Sequence, residues 1–258
     1  KATDALIGSI QQEGNQYIHD MTGAAGSNPE YQRLLRTMPD IGTHIYTAAA
    51  GIVSFFDFAN IGAVPYLVVI RSDGGVDIAN ISGAFAPPVT VAPAGTITNP
   101  SRATVGVSQY GSQYIVIVAQ QTNGYFIWDG TTFYAPGATR PGGGGTMPTG
   151  IGGTAVETYQ GRIWIINNAT VIFGAPGSAF DFSTGNGGGN FTSTDSFLRV
   201  RFTSLKQTNG FLYLIGDSSV NYISGVQTSG SPPTTTFTNQ NADPEVGTPW
   251  PDTVTVFN

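Results

Sequence analysis

The sequence predicts an all-β protein built from a repeat of about 48 residues, and three observations support this prediction. An apolar run rich in β-branched and aromatic residues occurs four times, with start-to-start spacings of 48, 48 and 49 residues. Each run is followed by a short turn containing Asn or Asp and then by a second apolar run, which is the pattern of a β-hairpin. Glycine accounts for 35 of the 258 residues, which fits a chain with many tight turns.

The predicted hairpins occupy equivalent places in the four units. Their first strands are residues 66–70, 114–118, 162–166 and 211–215, and their second strands are residues 76–81, 125–128, 170–173 and 220–223. The continuously apolar first strands predict burial on both faces. A period of 40 to 50 residues with several strands per unit is typical of β-propeller blades. A β-sandwich or barrel and an elongated mixed β structure are the alternatives.

The domain organisation predicted from the sequence has two parts. Residues 1–44 are expected to form an irregular N-terminal arm with one short helix, in which Asn28 is the N-cap and Pro29 the first-turn residue. Pro39 would end that helix. Residues 45–258 are expected to form the propeller-like domain, with four or five blades. We expect this domain to be incomplete at its C-terminal end, because the sequence stops inside an alternating run.

Composition excludes several classes of function. Ten Lys and Arg residues against sixteen Asp and Glu give a net charge of −6, which does not fit a protein that binds nucleic acid or anionic lipid tightly. The absence of cysteine excludes disulfides, thiolate catalysis and zinc sites built on sulfur. No apolar run approaches twenty residues, so we expect no stable membrane insertion.

The titratable residues do not form a recognisable catalytic or metal-binding pattern. His19 and His44 are the only histidines, and no Gly-x-Ser-x-Gly elbow accompanies them. We therefore expect no cofactor, no metal site and no enzymatic activity. Separated carboxylates can converge at the centre of a propeller, which keeps a carbohydrate-binding or glycan-hydrolysing propeller as the alternative function. The candidates, which the sequence places mostly in turns, are Asp57, Asp73, Asp77, Asp129, Asp181 and Asp217.

Two further features are candidates for function. The glycine runs at residues 142–145 and 185–189 lack the Lys-Ser/Thr ending of a phosphate loop and are predicted to be mobile inter-strand loops. Arg199 and Arg201 alternate with apolar residues in the run 197–202, which predicts a strand with both cations on one face. That face is either an ordinary solvent face or part of a ring of arginines around an axis.

The third unit carries a motif that resembles a known family. Tyr159-Gln160-Gly161-Arg162-Ile163-Trp164 is followed by a Gly-Ala-Pro-Gly turn and then by an Asp-Phe dipeptide, and residues 125–133 resemble another such unit. These segments resemble the tail nozzle, or tail tubular protein B, of short-tailed phages and the related packaged-DNA stabilisation proteins. The resemblance is strongest over residues 110–226, weak over 45–109 and absent over 1–40. The residues that carry the motif are Gly161, Arg162, Trp164, Gly174, Pro176, Gly177, Asp181 and Phe182.

The resemblance implies a propeller-containing subunit of a virion tail. Such a subunit forms a ring, with a hexamer favoured, below the portal and adaptor proteins and beside the tail fibre proteins. The ring retains packaged DNA and passes it during ejection. An acidic composition agrees with only transient, non-specific contact with double-stranded DNA. In such a ring Arg199 and Arg201 are the candidate channel-facing residues.

Overall fold

The computed structural model describes residues 51–83, 88–192, 201–250 and residue 254. The chain divides into two compact units, residues 1–45 and residues 46–258, and every described residue belongs to the second. The predicted N-terminal arm, 1–44, lies outside the described residues. Within the described part of the chain, no helix is long and apolar enough to cross a membrane.

The described residues form four antiparallel sheets of four strands, and in each sheet consecutive strands pair as a meander. Sheet 1 contains β1 (Val53–Ile61), β2 (Val64–Arg71), β3 (Val76–Asn80) and β4 (Val89–Ala92), and sheet 2 contains β5 (Val105–Tyr110), β6 (Tyr114–Ala119), β7 (Tyr125–Trp128) and β8 (Phe133–Tyr134). Sheet 3 contains β9 (Ala155–Tyr159), β10 (Arg162–Asn167), β11 (Thr170–Phe173) and β12 (Gly189–Thr192), and sheet 4 contains β13 (Phe202–Thr208), β14 (Phe211–Gly216), β15 (Val220–Ser229) and β16 (Thr234–Asp243). The predicted all-β class is confirmed.

The sequence repeat corresponds to the repeat of sheets. The four apolar runs lie in the second strand of each sheet, namely β2, β6, β10 and β14, and each pairs antiparallel with the third strand. The predicted hairpins are therefore confirmed. The stretch that precedes the first run supplies β1, which completes sheet 1 as a unit of the same form as the others.

Three hydrophobic clusters lie between consecutive sheets, and the middle sheets contribute to two clusters each. On β6, Ile115 and Ile117 pack towards sheet 1, whereas Val116 and Val118 pack towards sheet 3. On β10, Ile163 and Ile165 pack towards sheet 2, whereas Trp164 and Ile166 pack towards sheet 4. Because strand side chains alternate between faces, a strand buried on both faces must be continuously apolar. The predicted burial on both faces is confirmed for these two strands.

The two end sheets differ from the middle sheets. The second face of sheet 1 carries a separate small cluster of Leu67, Val69 and Ala79. None of the hydrophobic clusters formed by residues 51–83, 88–192 and 201–250 contains side chains of both sheet 1 and sheet 4. The described sheets therefore form an ordered series with two distinct ends.

Candidate functional site

The first strands of the four sheets lie together in sequence order. Strand β1 contacts β5, β5 contacts β9, and β9 contacts β13. Gly106 on β5 permits a close approach to β9, because a Cβ atom at that position would lie 2.9 Å from the Cα atom of Ala155. The four strands line one cavity of about 80 Å³. This cavity is where side chains from all four repeats meet.

Charged side chains from the different sheets surround the cavity. Asp57 on β1, Arg102 before β5 and Lys206 on β13 line it. Glu157 on β9 lies near Lys206 and accepts a hydrogen bond of 3.2 Å from Ser108 Oγ on β5. Burial raises the pKa of Glu157, and the hydrogen bonds and the charge of Lys206 only partly oppose this effect. The cavity region thus combines charges of both signs.

The motif residue Arg162 is buried and has no carboxylate partner among its described hydrogen bonds. Its Nη1 donates to the carbonyl oxygens of Gly174 and Gly187, each at 2.8 Å, and its Nη2 donates to Thr228 Oγ1. Burial lowers the pKa of the Arg162 guanidinium. The Arg162 side chain therefore connects three segments by hydrogen bonds. These are the turn after β11, the loop before β12 and the β15–β16 hairpin of sheet 4.

The glycines and proline of the motif form turns at the same end of sheet 3. Gln160 and Gly161 have φ values of 50° and 66°, which is the geometry of a two-residue hairpin turn between β9 and β10. The backbone N–H of Gly177, which follows the exposed Pro176, donates to the carbonyl oxygen of Gly161 at 2.9 Å. The backbone N–H of Gly174 donates to Ile163 O at 2.9 Å.

Asp181 and Phe182 hold the loop that follows. The Asp181 carboxylate accepts hydrogen bonds from Ser183 N at 2.8 Å and from Asn186 Nδ2 at 2.6 Å. Although partial burial acts to raise the pKa of Asp181, the hydrogen bonds from Ser183 and Asn186 lower it overall. The Phe182 ring packs edge-to-face on Tyr125, with the ring centroids 5.2 Å apart.

Trp164, the remaining motif residue, is fully buried between sheets 3 and 4. Its Nε1–H donates to Tyr159 O at 3.1 Å, so its polar atom is satisfied within sheet 3. The motif as a whole therefore occupies turns, a loop and the core of sheet 3, and all of its residues except the exposed Pro176 take part in packing or in hydrogen bonds.

The structure describes one of the two candidate channel arginines. Arg199 lies outside the described residues. Arg201 precedes β13 rather than lying within it, and its side chain is 48% exposed. It lines a small second cavity together with Thr154, which also lines the larger cavity, and its Nη2 lies 3.9 Å from Asp217 Oδ1. Arg201 is therefore placed beside the meeting point of the first strands.

Most of the candidate aspartates have local partners. Asp73 accepts the backbone N–H of Gly75 at 2.9 Å, and this hydrogen bond is the main cause of its lowered pKa. Asp129 Oδ1 accepts the backbone N–H groups of Thr131 and Thr132. Together with Asp181, these residues confirm the predicted role of aspartates in turns. Asp77 instead pairs with Arg71 within sheet 1.

The glycine run at 185–189 departs from the predicted mobile loop in its second half. Gly187 and Gly188 are buried and Gly189 begins β12. A Cβ atom at Gly188 would lie 2.6 Å from the carbonyl carbon of Phe182, so this packing requires glycine. The run 142–145 lies between β8 and β9, with all four glycines at positive φ.

Sequence reasoning missed an aromatic surface on sheet 4. The rings of Phe211, Tyr213 and Tyr222 lie within 6.3 Å of one another by centroid distance and belong to none of the hydrophobic clusters formed by the described residues. The Tyr222 hydroxyl donates to Gln240 Oε1. The strict alternation of aromatic residues with leucine in Phe211-Leu212-Tyr213-Leu214 was the signal that could have revealed it.

The described residues contain no cluster of three or more His, Asp or Glu side chains that could hold a metal ion. His19 and His44 lie outside the described residues. No protein-family model matches the chain, and no curated protein matches it either.

Proposed function

We propose that the chain is a structural subunit of a phage tail nozzle that retains packaged DNA and passes it during ejection. The observation that carries the structural part of this proposal is the shared cavity lined by the first strands of all four sheets. In a β-propeller, four-stranded meanders surround a common axis with their first strands innermost. We therefore propose that the four sheets are propeller blades.

The side-chain contacts support a scaffold role for the family-like motif. Arg162 and Trp164 are buried, and the glycines of the motif form the turns that Arg162 fastens. A structural subunit needs such residues to fix loop positions, whereas an enzyme needs activated groups that face a substrate. This reading fits the sequence resemblance, which rests on the same residues.

The cavity between the four sheets is too small to be the path of DNA in the proposed conduit. A space of about 80 Å³ cannot admit a duplex, whose major groove alone is about 12 Å wide. DNA would therefore pass through the lumen of a ring of copies, with a hexamer favoured, and not through one subunit. Portal, adaptor and tail fibre proteins would be the neighbours of such a ring in the virion tail.

The purified full chain should then form rings that are visible by electron microscopy, with a lumen wide enough for a whole duplex and therefore clearly wider than the major groove of about 12 Å. A protein that stays monomeric at micromolar concentration and shows no ring in filled particles would contradict the conduit. Ring assembly with a blade-like subunit outline would support both parts of the proposal.

Arg201, with Arg199, provides a second test of the conduit. One exposed cation per subunit at the same level of a ring would slow DNA without holding it, because each phosphate contact is weak and screened by salt. The Arg199→Ala/Arg201→Ala chain should assemble normally while filled particles lose DNA faster at low salt. Arg140→Ala, which removes one charge between β8 and β9, is the control. Unchanged DNA retention would contradict the proposal that Arg199 and Arg201 line the channel.

The aromatic surface of sheet 4 favours a carbohydrate-binding propeller as the second candidate. Aromatic rings beside an amide side chain, as in Tyr213, Tyr222 and Gln240, can pack against a sugar ring and bond its hydroxyls. A glycan array would test this candidate. Binding that is lost in Tyr222→Ala but kept in Trp250→Ala, a control at an exposed aromatic residue, would favour it over the conduit.

A further inference from the structure

The outermost strand of sheet 4 differs from the outermost strands of the other sheets. Strand β16 has 10 residues, whereas β4 and β12 have 4 each and β8 has 2. Short edge strands prevent unwanted pairing between chains, because a long edge exposes a row of unpaired N–H and C=O groups. Strand β16 therefore presents an edge about 30 Å long.

Apart from Asp243 at its end, this edge has none of the usual protection by charge. Residues 234–242 contain no Asp, Glu, Lys or Arg and consist mainly of Thr, Asn and Gln. Residues 238–242 are all exposed, and no strand of the described residues pairs with β16 on its outer side. The edge is therefore accessible and uncharged on a protein with a net charge of −6.

Contacts with sheet 3 hold this hairpin in place. Thr228 accepts the hydrogen bond from Arg162, and Thr235 Oγ1 donates to Gly187 O at 2.5 Å. The Phe237 ring packs on Trp164 and Phe191, with centroid distances of 5.7 and 5.2 Å. Because the strand is already ordered, pairing with another strand would cost less conformational entropy than pairing of a free segment.

We propose that β16 pairs antiparallel with β16 of a second copy of this chain, about a two-fold axis at Thr238. In this register Thr238 faces its own equivalent, Thr236 faces Gln240, and Thr234 faces Ala242. An antiparallel edge is self-complementary under two-fold symmetry, and pairing continues the ladder already formed by β13, β14, β15 and β16. The eight-stranded sheet that results joins two subunits.

The charge distribution favours a second copy as the occupant. Two chains that each carry a net charge of −6 repel one another over most of their surfaces. Electrostatic repulsion between them is smallest where a strip without charged residues on one chain meets the same strip on the other. Asp243, the nearest acidic residue, would face Pro233 outside the paired segment. Thr–Thr pairs across antiparallel strands are favourable, so the central position contributes to the contact.

A two-fold contact does not depend on the proposed ring. A ring of more than two subunits is built by head-to-tail contacts, whereas the β16 contact relates exactly two copies. The assembled mass of the wild-type protein should therefore be twice that of a variant with a blocked edge, whether the remaining assembly is a monomer or a ring.

Sedimentation analysis of the full chain tests the proposal. Thr238→Lys places like charges opposite each other and should halve the assembled mass, with self-association weakened at least about tenfold. Thr131→Lys adds the same charge at an exposed turn and should leave the mass unchanged. Circular dichroism identifies any variant that fails to fold, and in that case Thr238→Glu is measured in its place.

The decisive experiment mixes two variants. Thr238→Lys and Thr238→Glu should each fail to pair alone but should restore the wild-type mass together, because Lys then faces Glu across the two-fold axis. A wild-type mass equal to that of Thr238→Lys would overturn the proposal. A mixture that stays at half mass would also overturn it, since another segment would then occupy the edge. Neither result decides whether the chain forms a ring, which electron microscopy tests separately.

Discussion

Sheets 1 and 3 both bury an arginine, but the partners of the two side chains differ. In sheet 1, Arg71 pairs with Asp77 and with Asp73, 3.1 Å away, and also bonds Thr90. All of these partners belong to the same meander. In sheet 3, Arg162 donates to two backbone carbonyls and to Thr228 of sheet 4.

The difference follows from the positions of the two sheets in the series. Sheet 1 is an end sheet, and two carboxylates of its own meander, Asp73 and Asp77, pair with its buried arginine. Sheet 3 lies between two others, and its polar side chains reach both: Arg162 bonds sheet 4, and Glu157 accepts from Ser108 of sheet 2. The named partners of Arg71 therefore lie within one meander, whereas a change at Arg162 also removes a hydrogen bond to sheet 4.

The largest loss of stability is expected when only one partner of the charge pair in sheet 1 is replaced by an uncharged residue. Arg71→Met removes the cation beside Asp77, whose side chain is 3% exposed, and should lower the free energy of unfolding by about 4 kcal/mol. Arg71→Met/Asp77→Leu should recover most of this loss, because a buried pair replaced by apolar groups is often neutral. Urea unfolding measures both. Equal losses in the single and double variants would show that the unpaired charge of Asp77 is not the cause of the loss.

A somewhat smaller loss of stability is expected for the buried arginine of sheet 3, and no second substitution should restore it. Arg162→Met should lower the free energy of unfolding by about 3 kcal/mol, because hydrogen bonds from a charged donor are lost to Gly174, Gly187 and Thr228. Two of these acceptors are backbone carbonyls, so no second substitution can remove them. Thr228→Val is the matched control and should lose about 1 kcal/mol, the value of one hydrogen bond. A loss in Arg162→Met no larger than in Thr228→Val would show that the carbonyl bonds contribute nothing.

The sequence predicts interactions between near neighbours better than it predicts this long-range network. The four apolar runs reveal the repeat because burial on both faces imposes a continuous pattern. The turn roles of Asp129 and Asp181 are also foreseeable, since their partners lie within five residues. Arg162 instead bonds residues 12, 25 and 66 positions away, and no local spacing encodes those contacts.

The same reasoning explains which parts of the candidate site escaped sequence analysis. Gly188 is buried against the backbone of Phe182, a contact that depends on how the loop folds back and not on the glycine run itself. Lys206 reaches the cavity only because β13 lies beside β9. Of the predicted strand over 197–202, residues 197–200 lie outside the described residues, Arg201 lies just before β13, and Phe202 begins it. The positions of Gly188 and Lys206 thus depend on contacts between segments that are not adjacent in local sequence.

The smallest change in stability is expected at Glu157. It tests whether the charge of Glu157, as well as that of Arg162, affects the stability of sheet 3. Burial raises the pKa of Glu157 above the ordinary 4.5, so the folded chain holds this proton more tightly than the unfolded chain. The stability that protonation provides is present below the unfolded pKa and is lost as the pH rises through the higher folded pKa. Glu157→Gln stays neutral while keeping an oxygen for the hydrogen bonds from Ser108 Oγ and Thr158 N.

Glu157→Gln should therefore unfold at a slightly higher urea concentration than the wild type at pH 7, and the two midpoints should converge as the pH falls below 4.5. Glu245→Gln, which makes the same substitution at an exposed position after β16, is the control. A lower midpoint for Glu157→Gln at pH 7 would mean that the attraction between Glu157 and Lys206 outweighs the cost of burying the carboxylate. In that case the first strands of sheets 3 and 4 are joined by charge as well as by apolar packing.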